Sequence, residues 1–232
     1  MRHGGQILVQ ALRANGVTRV FSVPGESFLA ALDGLVVSGI RNIVCRHEGG
    51  AAMMAEATGK LTGRPGVAFV TRGPGATNAS AGVHVARQDS TPMILFVGQI
   101  ARGDQDREAF QEVDYRAMFA PLAKWVAQID ATDRIAEYVA RAFHVAMSGR
   151  PGPVVLALPE DMLSGQADIP DLAPAPAPLF YVAPQSVQAV ADALATARRP
   201  LVVAGGSQWS QDAAEDLARF AATWDLPVAV PF

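Results

Sequence analysis

The sequence predicts an α/β fold: a parallel sheet with helices on both faces, followed by a truncated second doubly wound α/β unit. Two observations predict it. Short runs rich in Val, Ile and Phe alternate with longer stretches of helical periodicity, the pattern of repeated strand–helix–strand units. The apolar runs are also mostly continuous rather than alternating, as strands buried on both faces are.

In chain order, a helix is expected over residues 5–14, a strand over 19–23, a helix over 27–37 and a strand over 42–46. A helix over 51–62, a strand over 67–71, a helix over 77–88 and a strand over 93–97 follow. The charged segment 102–108 reads as a solvated loop. Beyond it come a strand over 125–129, a helix over 133–147 and a strand over 154–158. Thr132 is the expected cap of that helix, because Asp133 would put a negative charge in its first turn. Pro174, Pro176 and Pro178, spaced by alanines, mark an extended, semi-rigid linker over 166–185. A second unit over 186–232 then shows a helix near 186–197, a strand over 201–204, a turn at Gly205 and Gly206, a helix near 212–223 and a strand over 227–230. Two strands and two helices bury little core, so this unit reads as incomplete, with an apolar edge prone to association.

The 232 residues suffice for one large domain, or one domain and part of another. Half of them are hydrophobic and 18% are charged, which fits a compact globule rather than a disordered chain. A net charge of −3 without a basic stripe argues against nucleic-acid binding. The one cysteine, Cys45, excludes an internal disulfide and a Cys-based zinc cluster, and its apolar surroundings predict a buried structural thiol. The four histidines lack ligand spacing, which leaves His47 and His84 ordinary polar or core roles. No signal-peptide pattern opens the sequence, and no apolar run reaches the ~20 residues that span a bilayer, so the cytoplasm is the expected location and no membrane partner is expected.

Open parallel sheets bind ligands outside the carboxyl ends of their strands. Three loops stand there: Pro24, Gly25 and Glu26; residues 46–50, which hold His47 and Glu48; and residues 72–78, which run Arg, Gly, Pro, Gly, Ala, Thr, Asn. The third could turn backbone N–H groups toward a ligand, but it is neither a P-loop nor a dinucleotide fingerprint. On its own it reads equally well as a tight packing turn. By position alone, Glu48 reads first as a carboxylate favoured by a helix N-terminus. No histidine pair and no Gly-x-Ser-x-Gly is present, so neither a histidine relay nor a serine hydrolase is suggested.

Taken together the motifs say more. Arg46, His47 and Glu48; Ala55, Glu56 and Ala57; the run 70–78; Ala109, Phe110, Gln111 and Glu112; and the run 149–154 stand in an order and spacing that resemble the pyrimidine-binding domain of thiamine-diphosphate enzymes, in the acetohydroxyacid synthase (acetolactate synthase) branch. The resemblance covers about residues 4–159, and 200–206 resembles the opening of that family's central domain. It implies a pyrimidine-binding domain over 1–165 and a carboligase acting on 2-keto acids such as pyruvate. It also implies thiamine diphosphate as cofactor, with Mg2+ held by a diphosphate domain that this chain lacks, and a homodimer or homotetramer whose sites lie between subunits. Glu48 would share a proton with N1′ of the aminopyrimidine, favouring the tautomer that activates thiazolium C2 as nucleophile and electron sink. Pro24 and Gly25 would lie beside the cofactor, and Thr71, Pro74 and Asn78 would line the pyrimidine. Phe110, Gln111 and Lys124 would stand near the substrate.

Some positions depart from the family pattern. Val23 stands where an aromatic residue often precedes the Pro-Gly turn, and Ala120 stands where the synthases carry a flavin-contacting arginine, so tightly bound FAD is not expected. The alternatives are a flavin-free carboligase of the benzaldehyde-lyase kind and a 2-keto acid decarboxylase, although the decarboxylases' paired histidines are missing. A non-catalytic association module is a further alternative. The Gly-Asp-Gly signature of the diphosphate domain is absent, and Gly103, Asp104 and Gln105 do not form it. The chain alone is therefore expected to carry half a site and to be inactive.

Overall fold

A computed structural model describes residues 1–174, 176, 178, 180–207 and 209–230. Ala175, Ala177 and Leu179, within the expected linker, lie outside the described residues. The chain divides into two compact units, Met1–Ala177 and Pro178–Phe232.

The first unit contains β1 (Arg2–His3), α1 (Gly4–Ala14), β2 (Arg19–Ser22), α2 (Leu29–Val36), β3 (Arg41–Val44), α3 (Glu48–Thr62) and β4 (Gly66–Val70). It continues through α4 (Gly73–Gln88), β5 (Met93–Gln99), α5 (Tyr115–Phe119), β6 (Trp125–Gln128), α6 (Ile135–Met147), β7 (Pro153–Pro159), α7 (Glu160–Ser164) and β8 (Gln166–Ala167). Six strands form one parallel sheet in the order β3-β2-β4-β5-β7-β6. Successive side chains of a strand point to opposite faces, and the two faces bury separate cores. Val67, Phe69, Ile94, Phe96, Val154 and Leu156 pack with apolar residues of α1, α2 and α6. Ala68, Val70, Met93, Leu95, Val97 and Val155 pack with those of α3, α4 and α5. The central strands β4, β5 and β7 are buried throughout, which is why they read as continuous apolar runs.

Several local expectations need correction. Helix α4 starts at Gly73, four residues before the expected 77, because a proline in the first turn sacrifices no helical hydrogen bond. Helix α3 starts at Glu48 rather than 51, since His47 caps it by accepting the Gly49 N–H at Nδ1 (3.0 Å). Thr132 is not a cap. Its hydroxyl donates to the Met162 carbonyl (2.7 Å), and a 3-10 turn, Thr132–Arg134, leads into α6. Cys45 is half-buried, not buried, because β3 is an edge strand; its Sγ donates to the Ile43 carbonyl, and burial pushes the thiol up despite the opposing Ser22 backbone contact. Helices α5 and α7 and the antiparallel β1–β8 pair are additional to the elements read from sequence.

The second unit holds α8 (Pro184–Thr196), β9 (Val202–Val203), α9 (Gln211–Trp224) and β10 (Val228–Ala229), with β9 and β10 parallel. Ser210 caps α9 by accepting the Ala213 N–H (3.1 Å). Val187, Val190, Val203, Phe220 and Val228 are exposed. Among the described residues no helix is long and apolar enough to cross a membrane.

Candidate active site

The chain leaves β2 in one direction to β3 and returns past it to β4, so the β2/β4 boundary is a topological switch point, where a crevice opens at the carboxyl ends of the strands. The loops after β2, β3 and β4 meet there.

Contact between the first and third loops is close. The Ser27 and Thr71 hydroxyls lie 3.0 Å apart, and Gly25 presses on Thr71 so tightly that an added Cβ would stand 2.6 Å from the threonine Cβ. The second loop joins through its carboxylate. Glu48, partly exposed at the first position of α3, accepts a hydrogen bond at Oε2 from the side-chain amide of Asn78 on α4 (2.9 Å). Its Oε1 has no hydrogen-bond partner among the described residues. A Cβ added to Gly75 would stand 2.9 Å from Thr71 Cγ2 and 3.5 Å from that free oxygen. Glycine at 75 thus keeps a space open beside the carboxylate. Pro24 and Pro74 are exposed on the same rim.

The structure therefore brings together Gly25, Glu48, Thr71 and Asn78. Gln111 joins them through the backbone: its carbonyl accepts the Gly73 N–H (3.1 Å), and it adopts a left-handed φ of 65°. Phe110 beside it is 72% exposed, with its ring centroid 6.0 Å from the Arg72 guanidinium carbon. Lys124 does not join them. It precedes β6 and so lies at the amino-terminal edge of the sheet, donating to the Val145 and Ser148 carbonyls (2.6 and 2.5 Å) at the end of α6. Burial, and next the charge of Arg87, hold its ammonium below the usual lysine range. His47 caps a helix and His84 is exposed, so neither gathers ligands, and among the described residues no group of three metal-ligating side chains exists.

Sequence reasoning passed over Arg72 and Tyr115. Arg72 is buried and pairs with Glu26, and among the described residues its Nε has no hydrogen-bond partner. Tyr115 is 2% exposed, and its hydroxyl is likewise without one. A charged side chain inside a loop otherwise built of small residues was the available signal for Arg72.

Residues 2–118 match the family described as thiamine pyrophosphate enzyme, N-terminal TPP binding domain. Residues 187–232 match the central domain of the same enzymes. The chain is similar to a catabolic acetolactate synthase of Raoultella terrigena, with 39% identity over 88% of the chain and 36% of that protein. It is 36% identical to a probable acetolactate synthase large subunit of Methanocaldococcus jannaschii, over 97% of the chain and 39% of the relative. To the acetolactate synthase isozyme 2 large subunit of Escherichia coli it is 34% identical, over 97% of the chain and 41% of the relative. The chain thus spans about two fifths of the length of these relatives.

Proposed function

Given that the chain belongs to the thiamine pyrophosphate enzyme family, we propose that it binds the pyrimidine end of thiamine diphosphate and supplies Glu48 to a carboligase of the acetolactate-synthase type. One observation carries this reading: a carboxylate oriented by Asn78, with its second oxygen free beside the space that Gly75 leaves open. That arrangement fits a ring nitrogen that must exchange a proton with a carboxyl group. When bound, the cofactor supplies a nucleophilic carbon and an electron sink.

The remaining roles belong to this chain's side chains. Glu48 holds or releases a proton at Oε1, while Asn78 fixes the carboxylate plane through Oε2. Gly25 and Thr71, locked against each other, shape one wall. Phe110 offers an apolar surface to a small 2-keto acid, and Gln111 offers an amide to its oxygens. Lys124 has no part in this scheme. The diphosphate and Mg2+ fall to protein outside this chain, in a dimer or tetramer to which the exposed Met53, Met54 and Leu61 of α3 would contribute apolar surface. If those outside contacts are worth even ~5 kcal/mol, the chain alone binds the cofactor three to four orders of magnitude more weakly. Ala120, exposed at the end of α5, favours a second reading within the same chemistry: a carboligase without tightly bound flavin.

The test measures carbon dioxide release and acetolactate formation from pyruvate with thiamine diphosphate and Mg2+. The 232-residue chain alone is expected to give no turnover above a Glu48→Gln control, and turnover is expected once the diphosphate-binding region is supplied. Turnover by the chain alone overturns the half-site reading. Carbon dioxide without acetolactate from the complete protein overturns the synthase branch.

A further inference from the structure

Arg72 stands between Thr71 and Gly73, yet it takes no part in orienting Glu48. Its side chain is 7% exposed and reaches across the carboxyl edge of the sheet. One terminal nitrogen donates to the Glu26 carboxylate in the loop after β2, and the other lies 4.0 Å from Glu160 at the start of α7. The guanidinium also lies 6.0 Å from the Phe110 ring centroid. The neighbouring Gly73 N–H donates to the Gln111 carbonyl. Two consecutive residues, 72 and 73, therefore grip the 110–111 turn.

Glu112 braces that turn from within, accepting the Asp106 and Ala109 N–H groups at its two carboxylate oxygens (2.7 and 3.0 Å), but neither bond falls on Phe110 or Gln111. Asp106, Glu108 and Gln111 all have positive φ (62°, 53° and 65°), a region that side-chain-bearing residues occupy at a cost and keep only when their surroundings impose it. Stability does not account for Arg72 either. An ion pair to the exposed carboxylates of Glu26 and Glu160 gains little, and the buried Nε, without a hydrogen-bond partner among the described residues, is a net cost. What this one side chain does provide is position, because it links the loops after β2, β4 and β7 to the 110–111 turn.

We propose that Arg72 is a positioning residue that, through Glu26 and Glu160, fixes the Phe110–Gln111 turn over the site and thereby governs recognition of the 2-keto acid rather than of the cofactor. The substrate role of the turn rests on the reading under Proposed function; the clamp itself does not.

The first arm of the test is amide hydrogen exchange of the 232-residue chain. Arg72→Met is expected to speed exchange at Gly73 and across 109–113 by at least about tenfold while the amides of β4 and β5 keep their protection. The exchanged pair, Arg72→Glu with Glu26→Arg, is expected to restore part of that protection. Unchanged exchange at 109–113, or equal loss throughout the sheet, overturns the clamp. Should Arg72→Met fail to fold, Arg72→Lys, which keeps the charge but not the forked geometry, carries the same comparison. The second arm uses the complete enzyme. Arg72→Lys is expected to raise KM for pyruvate by about ten- to a hundredfold, the size of effect that ~1 Å misplacement produces, with cofactor Kd changed less than about threefold. Equal losses in both overturn the proposed selectivity. A wild type without turnover on pyruvate overturns the functional reading, while the exchange arm still decides the clamp.

Discussion

Asn78 donates its side-chain amide to one oxygen of Glu48, so a residue in the first half of α4 sets the orientation of the carboxylate that opens α3. Helices α3 and α4 lie on the same face of the sheet and share a core of small residues, among them Ala51, Ala52, Ala76 and Ala79. The two ends of the hydrogen bond are therefore fixed to a common packed layer. Asn78→Ala removes the bond without touching the core. The expected outcome in the complete enzyme is a fall in kcat of about tenfold or more with little change in thermal stability, checked by steady-state kinetics and calorimetry. Unchanged kcat would remove Asn78 from the site.

Gly75→Ala tests the open space beside Glu48. The new methyl group would stand 2.9 Å from Thr71 Cγ2, closer than side chains approach, so the Thr71 side chain or the loop that carries it must shift. Overpacking of this kind costs roughly 1–3 kcal/mol. The expected result is that cofactor affinity falls by more than that stability loss explains, because the methyl also fills the space facing Oε1. Titration calorimetry on the complete protein, beside urea unfolding of the same variant, separates the two effects. Wild-type affinity would show that the space is not the binding space.

Tyr115 predicts an alkaline signature. Burial pushes its phenol up to about 12, against the smaller opposing effects of the Gly73 backbone contact and the Arg72 charge. In the unfolded chain the phenol ionises near pH 10. Between about pH 10 and 12 the folded state keeps a proton that the unfolded state has lost, so stability falls as pH rises, by on the order of 2 kcal/mol in total. Below pH 10 the group contributes no pH dependence. Tyr115→Phe is expected to abolish this part of the alkaline loss. At neutral pH it should leave stability equal or higher, because among the described residues the hydroxyl it removes has no hydrogen-bond partner. Urea midpoints at pH 9 and pH 11 check it, and identical pH dependence in both proteins would contradict it.

Flavin content is a separate expectation. Ala120 stands where the resemblance to the synthases places a flavin-contacting arginine, and alanine offers no guanidinium to clamp a phosphate or a planar polar group. The complete protein is expected to purify without stoichiometric flavin, as read from its absorbance near 450 nm. A yellow protein with one flavin per chain would contradict this.

Much of the sheet was legible because burial on both faces writes itself as continuous apolar runs, and each of its six strands lies within two residues of its expected ends. Helix starts were harder to read. Gly73, Pro74 and Gly75 read as a turn, yet they form the first turn of α4, where proline is tolerated and close contact demands glycine. Helix α5 carried a readable signal, since Asp114 caps it and the buried Tyr115 and Phe119 stand four residues apart, but five residues offer little periodicity. The two-residue strands β1 and β8 offer none. Within the site, the nearness of Glu48, Thr71 and Asn78 follows from loops at the carboxyl ends of β3 and β4, the two strands that flank β2. Strand direction also explains Lys124, which precedes β6 and so must lie at the opposite edge. The clamp by Arg72 was not legible, because its partners Glu26, Phe110 and Glu160 are scattered over more than 130 residues of sequence and meet only in the folded sheet.

If Glu48 handles the proton that activates the cofactor, exchange of the cofactor's C2 hydrogen depends on it. With thiamine diphosphate bound to the complete protein, deuterium exchange at C2 would be followed by rapid quench and NMR for wild type and Glu48→Gln. The glutamine keeps a hydrogen-bonding side chain at the head of α3 but cannot pass a proton. The expected result is retained folding, largely retained cofactor binding, and exchange slowed by ~10²–10⁴-fold, the usual scale for losing a positioned acid–base group. Exchange at the wild-type rate in Glu48→Gln would contradict it.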